Sequence, residues 1–149
     1  MFLFNHLKNN NMKTSILISI LFFTFSVCFG QDILTEEIPT PDIKFEQTTI
    51  DLGTISDDSN PVIIYRFTNT GSSPLLLKKV KPSCGCTIPK WPQQPIAAGE
   101  SGEIKATFST RGSAGKFVRK SIVVTTNIKE NGTDKVFNLV FKGHVETAK

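Results

Sequence analysis

The sequence predicts an all-β fold in which two sheets pack face to face, and three observations support this. After residue 30, no stretch places apolar residues at helical spacing over three turns. Instead, runs of β-branched and aromatic residues alternate with polar residues at a period of two, which is typical of strands with one buried face. Segments rich in Gly, Asn, Ser and Pro separate these runs at the places where strands reverse direction.

Each predicted strand has its own run of residues. The stretch KFEQTTIDLG gives two short, weak strands, and five stronger runs follow: VIIYRF (62–67), LLLKKV (75–80), EIKATF (103–108), FVRKSIVVTT (117–126) and KVFNLVFKGHV (135–145). About seven strands, each with one apolar face, can bury that face only against a second sheet. We therefore predict a β-sandwich of immunoglobulin type.

The same alternation predicts which side chains enter the core. On the strand at 103–108, the side chains expected to point inward are Ile104, Ala106 and Phe108, and those expected outward are Glu103, Lys105 and Thr107. On the last strand, the better core candidates are Phe137, Leu139 and Phe141 rather than the alternating Val136, Asn138 and Val140. A domain of this size buries enough surface to fold without covalent links.

The first thirty residues have the pattern of a secretory signal peptide. Residues 15–27 form an uncharged apolar run preceded by Lys13. This run is shorter than the roughly 20 residues that a membrane span needs, but it suits the apolar part of a signal. The small residues that follow predict cleavage after Gly30. The alternative is a lipid anchor at Cys28, which the preceding Phe-Ser-Val fits poorly.

The chain is therefore divided into a signal peptide at 1–30, a linker at 31–42 and a sandwich domain at 43–146. Residues 1–11 are interpreted as a mis-assigned extension, because Met12 followed by lysine makes a more usual start. The linker contains two prolines and several acids, which disfavour regular pairing.

Export sets the expected location and partner class. The signal peptide carries two lysines, and its removal lowers the formal net charge from +4 to +2. So small a charge argues against nucleic acid, which requires a clustered basic face. We expect a periplasmic or secreted chain with no transmembrane helix after cleavage, and a partner that is another protein of the cell envelope.

The order of motifs resembles a bacterial family, the domain of unknown function 1573. The resemblance runs over about residues 43 to 146, through FEQTTIDLGTI, YRFTNTGSSPLLLKKVKPSCGCTIPKWP, PIAAGESGEIKATFSTRGSAGKFVRKSIVVTTN and FKGHV. Its most specific element is Ser83-Cys84-Gly85-Cys86-Thr87. The family is similar to immunoglobulin-like domains of ciliary and sperm-surface modules and of pilus chaperones. The resemblance implies a sandwich and implies no reaction.

Cys84 and Cys86 are the only cysteines after the predicted signal peptide, and four interpretations remain open. A disulfide across so short a loop contributes only about 1.6 kcal/mol of chain entropy, so a structural staple is disfavoured. An exposed bridge suits thiol exchange, with Lys81 and Lys90 near enough in sequence to favour a thiolate. Two thiolates also suit copper(I), although a closed zinc site would need four ligands. In the fourth interpretation, the pair shapes a loop that contacts another molecule.

The leading interpretation is a non-enzymatic binding or scaffold module that contacts its partner through the proline-rich loop from Cys84 to Pro95. In this hypothesis Trp91, Lys81 and Lys90 are the candidate partner-binding residues; for Trp91 the competing interpretation is that it caps one end of the sandwich. No catalytic residue and no cofactor are predicted. The alternative function is a thiol-disulfide or copper(I)-handling module acting through Cys84 and Cys86.

Overall fold

The computed structural model describes residues 37–147, and within that range every regular element is a strand. The predicted signal peptide, Cys28 and most of the predicted linker lie outside the described residues. The strands are β1 (Ile43–Phe45), β2 (Thr49–Ile55), β3 (Val62–Asn69), β4 (Leu77–Pro82), β5 (Thr87–Lys90), β6 (Ser101–Phe108), β7 (Phe117–Glu130) and β8 (Thr133–Val145). The all-β prediction is confirmed.

The eight strands form two sheets of four. Sheet A has the order β1-β3-β6-β5, and all its pairs are antiparallel. Sheet B has the order β2-β8-β7-β4, in which only β2 pairs in parallel, with β8. Five of the strands correspond to the strong runs of the sequence, and the weak pair becomes β1 and β2. The additional strand is β5, which lies inside the segment that the sequence predicted as a loop.

The core lies between the sheets, and the predicted register of β6 is confirmed. Ile104, Ala106 and Phe108 are completely buried. The Phe108 ring lies 5.2 Å from the ring of Phe141 in sheet B, measured between centroids, so the two sheets meet directly at this pair. On β8, Leu139 is also completely buried. The core is therefore built from the alternating faces that the sequence marks as apolar.

Strand β8 departs from simple alternation at two positions. Phe137 is only partly buried and packs at the border of the core. Val140 is 8% exposed although it is not part of the core cluster. Its strand has neighbours on both sides, because β8 is flanked by β2 and β7. The alternation therefore predicts whether a side chain of β8 points toward the core or away from it, but it predicts less well how much of that side chain is exposed.

The chain crosses between the sheets at residues 83–86. Strand β4 is an edge of sheet B and β5 is an edge of sheet A, so the Ser-Cys-Gly-Cys stretch joins two edges at one side of the sandwich. Pro89 is compatible with β5 because an edge strand can accommodate a residue without an N–H. Nothing between Glu37 and Thr147 forms a helix of the length and apolarity that crossing a membrane requires.

Candidate functional site

The turn between β4 and β5 is closed by a disulfide between Cys84 and Cys86, whose Cα atoms are 5.3 Å apart. Backbone hydrogen bonds hold both ends of this turn. Before the turn, the Ser83 N–H donates to the Ser121 carbonyl at 2.8 Å. After it, the Cys86 carbonyl accepts from the Ser109 N–H at 2.9 Å. The sulfur pair therefore lies on a segment that is attached to sheet B on one side and to sheet A on the other.

The two cysteines differ in their surroundings. Both cysteines are half-buried, but Cys86 packs against the hydrophobic core, whereas Cys84 is not among the residues that pack against it. Gly85 between them is exposed, and a Cβ added there would have no heavy atom within 4 Å. The outer side of the turn is thus open.

Thr87 places a buried hydroxyl next to the disulfide. The residue begins β5 and is 3% exposed. Its Oγ1 lies 3.7 Å from Sγ of Cys84 and 4.0 Å from Sγ of Cys86. The side chain points inward because Thr87 is paired with the core residue Phe108 on β6. Thr87 was not among the residues predicted from the sequence, because a threonine that begins a strand is ordinary until the position of the sulfurs is known.

The structure does not bring together the three residues predicted to bind a partner. Lys81 pairs with the half-exposed Val123 on the outer face of sheet B, and Lys90 pairs with Lys105 on the outer face of sheet A. Trp91 is partly buried, packs against the core, and donates its indole N–H to the Leu77 carbonyl at 3.3 Å. Its contacts are those of a residue that caps the space between β4 and β5.

A row of exposed apolar side chains lies on the outer face of sheet A, and we call it the Ile88 face. Val62 is 55% exposed and Ile88 is 64% exposed, and both pair with Thr107 of β6 from opposite sides. Ile64, on the same face of β3, is also exposed. Thr107 lies between Val62 and Ile88, and because neighbouring strands are about 4.8 Å apart, these two apolar side chains are separated by roughly 10 Å across β6. This face was not predicted from the sequence, because the segment that contains Ile88 was expected to be a loop and the order of three strands in a sheet is not visible in any one of them.

The charged groups beside the Ile88 face belong mainly to one ion-pair network. Lys105 Nζ lies 3.2 Å from Glu103 Oε2, and Arg66 Nε lies 3.1 Å from Glu103 Oε1. The hydrogen bond from Lys105 is the main cause that lowers the pKa of the Glu103 carboxyl. These residues are solvent-exposed, so the network contributes little to stability and mainly determines the polarity of the border of the patch.

A metal site on this turn would have few protein ligands. In the range 37–147, no three His, Cys, Asp or Glu side chains come close enough together to hold one ion. His144 is exposed on the outer face of sheet B, where it pairs with Phe117. Cys84 and Cys86 are bonded to each other and would have to be reduced before they could bind copper(I).

The chain belongs to the family described as "Protein of unknown function (DUF1573)", which matches residues 43–145. The family predicted from the Ser-Cys-Gly-Cys-Thr motif is thereby confirmed. No curated protein matches the sequence.

Solved structures with a similar fold share little sequence with this chain. A protein of unknown function from Porphyromonas gingivalis has a TM-score of 0.59 and 16% identity, and the match covers 70% of this chain and 47% of that one. The chain thus spans about half the length of this relative. The PapD-like domain 7 of human CEP192 has a TM-score of 0.58 and 10% identity, with 74% and 89% of the two chains covered.

A third similar structure is the CsuC-CsuE chaperone-tip adhesion subunit complex of Acinetobacter baumannii. Its TM-score is 0.52 at 14% identity, and the match covers 70% of this chain and 57% of that one. At such identities the likeness concerns the fold. The fold is therefore an immunoglobulin-like β-sandwich, as the sequence predicted, and it is similar to the PapD-like domain of CEP192.

Proposed function

We propose that the mature chain is an exported, non-enzymatic binding module that contacts another protein of the cell envelope through the segment from Cys84 to Pro95. The observation that carries this proposal is the Ile88 face. Ile88 lies within that segment on the edge strand β5, and the face extends across Thr107 of β6 to Val62 and Ile64 on β3. Apolar side chains grouped on a sheet face, and bordered by charges, are typical of a protein interaction site.

The outer face of sheet B serves as a reference for the Ile88 face. Sheet B also exposes large apolar side chains, at Phe117, Val123 and Val136. Arg119, Lys142 and Asp51 form one row across that face and separate Phe117 from the other two. On sheet B three charged residues thus separate Phe117 from Val123 and Val136, whereas on the Ile88 face a single uncharged residue, Thr107, lies between Val62 and Ile88.

The fold is compatible with such a role. The similar chain from Acinetobacter baumannii belongs to a complex of a chaperone with a tip adhesion subunit, in which each protein binds a protein partner. In this chain the edge strand β5 has only one neighbour, β6. Its exposed Ile88 side chain projects from the outer face, where a partner can reach it without any change in the core.

Site-specific photo-crosslinking in the native envelope tests the proposal. A photoreactive phenylalanine analogue at Ile88 is expected to give one crosslinked adduct of defined mass, and the same analogue at Val136 to give none. Val136 is a matched control because it is 56% exposed and also lies on a strand. The intact mass of the same preparation reports processing, and we expect a mature chain that begins at Gln31.

Two outcomes would contradict the proposal. Equal crosslinking at Ile88 and Val136 would show that the Ile88 face is not selected. A crosslink at Ile88 that disappears when both Cys84 and Cys86 are changed to serine, with the fold intact, would show that the contact depends on the sulfur pair and not on the Ile88 face.

A further inference from the structure

The binding function proposed above does not explain why the Thr87 hydroxyl is buried beside the disulfide. The hydroxyl is buried, and among the described residues the hydrogen-bond partners of its Oγ1 are the two sulfur atoms. Buried hydroxyl groups in folded proteins almost always have a hydrogen-bond partner. A sulfur atom without charge is only a weak acceptor, whereas a thiolate is an ionised acceptor and binds a donor more strongly. The hydroxyl therefore matches the reduced pair better than the oxidised one.

The turn is built so that the sulfur pair can open and close without loss of the fold. The hydrogen bonds from Ser83 to Ser121 and from Ser109 to Cys86 join the turn to both sheets through backbone atoms. Neither of these bonds depends on the sulfur atoms. After reduction the backbone would still hold the two thiols at positions from which the bridge can form again.

The surroundings also distinguish the two sulfurs as targets. Cys86 packs against the core, while Cys84 is not among the residues that pack against it. A thiol that approaches from solvent therefore reaches the Cys84 sulfur, and the Cys86 sulfur becomes the leaving group. The Thr87 hydroxyl lies 4.0 Å from that leaving sulfur and 3.7 Å from the Cys84 sulfur, so it is within reach of the Cys86 thiolate when the bridge opens.

We propose that Cys84–Cys86 is a thiol-exchange site for an external protein dithiol, with Thr87 as the residue that stabilises the departing thiolate. In the first step a thiolate of the partner attacks Sγ of Cys84, the bridge breaks, and Cys86 leaves as a thiolate. In the second step the other thiol of the partner attacks its own mixed disulfide and releases Cys84. The partner dithiol is oxidised to a disulfide by two electrons, and both cysteines of this chain are reduced and take up two protons. The reverse sequence reoxidises the pair.

The rate of reduction of the folded protein tests the role of Thr87. Dithiothreitol serves as the dithiol, and alkylation followed by mass analysis of the tryptic peptide at 80–90 reports only Cys84 and Cys86. Thr87→Val is expected to react about tenfold more slowly, the effect of losing a hydrogen bond to an anionic leaving group. Thr87→Ser keeps the hydroxyl and is expected to react at nearly the original rate. Thr125→Val, on the outer face of sheet B, is the matched control.

A second measurement tests the direction of attack and does not require any change at Thr87. In Cys86→Ser the remaining thiol is Cys84, and in Cys84→Ser it is Cys86. With glutathione disulfide, the folded Cys86→Ser variant is expected to form a mixed disulfide at least tenfold faster than Cys84→Ser, because its sulfur lies outside the core cluster.

Three results would overturn the inference. The first is a folded protein whose bridge resists dithiothreitol more than the bridge of the isolated peptide at 80–90. The second is an equal reduction rate for Thr87→Val and the unchanged protein. The third is faster mixed-disulfide formation at Cys86 than at Cys84. None of these results depends on the Ile88 face, so the binding function is tested separately.

Discussion

The disulfide turn and the aromatic pair beside it are neighbours that contribute to the molecule in different ways. Thr87 at the end of the turn is paired with Phe108 on β6. The disulfide closes a loop of sequence separation 2, for which loop entropy contributes about 1.6 kcal/mol. Phe108 is completely buried and touches Phe141 of the other sheet. Packing between the sheets, rather than the covalent bond, therefore accounts for most of the stability.

Because of this difference, a reaction at the disulfide need not disturb the packing that stabilises the fold. A residue such as Phe108 cannot change without creating a cavity between the sheets, because interiors are close-packed. The sulfur pair lies at the margin of the core, on a turn that backbone hydrogen bonds already hold in place. A chemical change there affects a local turn, which is the condition for a site that opens and closes in the native state.

The largest effect is expected from Phe108→Ala. The substitution removes a ring that is in contact with both its own sheet and Phe141, and it leaves a cavity. The free energy of unfolding should fall by about 3 to 5 kcal/mol. Urea unfolding measures this change. An unaltered midpoint would show that the packing of Phe108 does not contribute more to stability than the disulfide does.

Much of the fold was predictable because its signals are local. The alternation of Ile104, Ala106 and Phe108 with polar residues gave the register of β6, which the structure confirms. The order of motifs gave the family, which the match over residues 43–145 confirms. Such signals require only the residues of one strand or one motif.

Features that depend on several strands were not predictable in this way. The Ile88 face forms because β3, β6 and β5 are adjacent in sheet A, an order that no single strand encodes. Strand β5 itself was interpreted as part of a loop, because the prolines around it disfavour regular pairing and an edge position is not visible in the sequence. Likewise, Thr87 gains meaning only from its distance to the two sulfurs.

A smaller effect is expected when the bridge is removed. Changing both Cys84 and Cys86 to serine should lower the free energy of unfolding by less than about 2 kcal/mol, because so short a loop restricts the unfolded chain only slightly. Urea unfolding of this variant is compared with that of the unchanged protein in reduced form. The comparison distinguishes the effect of losing the S–S bond from the effect of replacing the cysteine side chains. A loss as large as that of Phe108→Ala would show that the sulfurs are a structural part of the core.

The smallest effect, and one of opposite sign, is expected from Tyr65→Phe. Tyr65 is 1% exposed on β3, and its hydroxyl has no hydrogen-bond partner among the described residues. Burial raises the pKa of this phenol well above its usual value, so the hydroxyl stays neutral. An unsatisfied buried hydroxyl costs about 1 to 3 kcal/mol, and its removal leaves only a small void. We therefore expect a gain in unfolding free energy of about 1 kcal/mol. A loss of similar size would mean that a buried water binds the Tyr65 hydroxyl. The core would then contain a polar group that contributes to stability, and it would not be purely apolar.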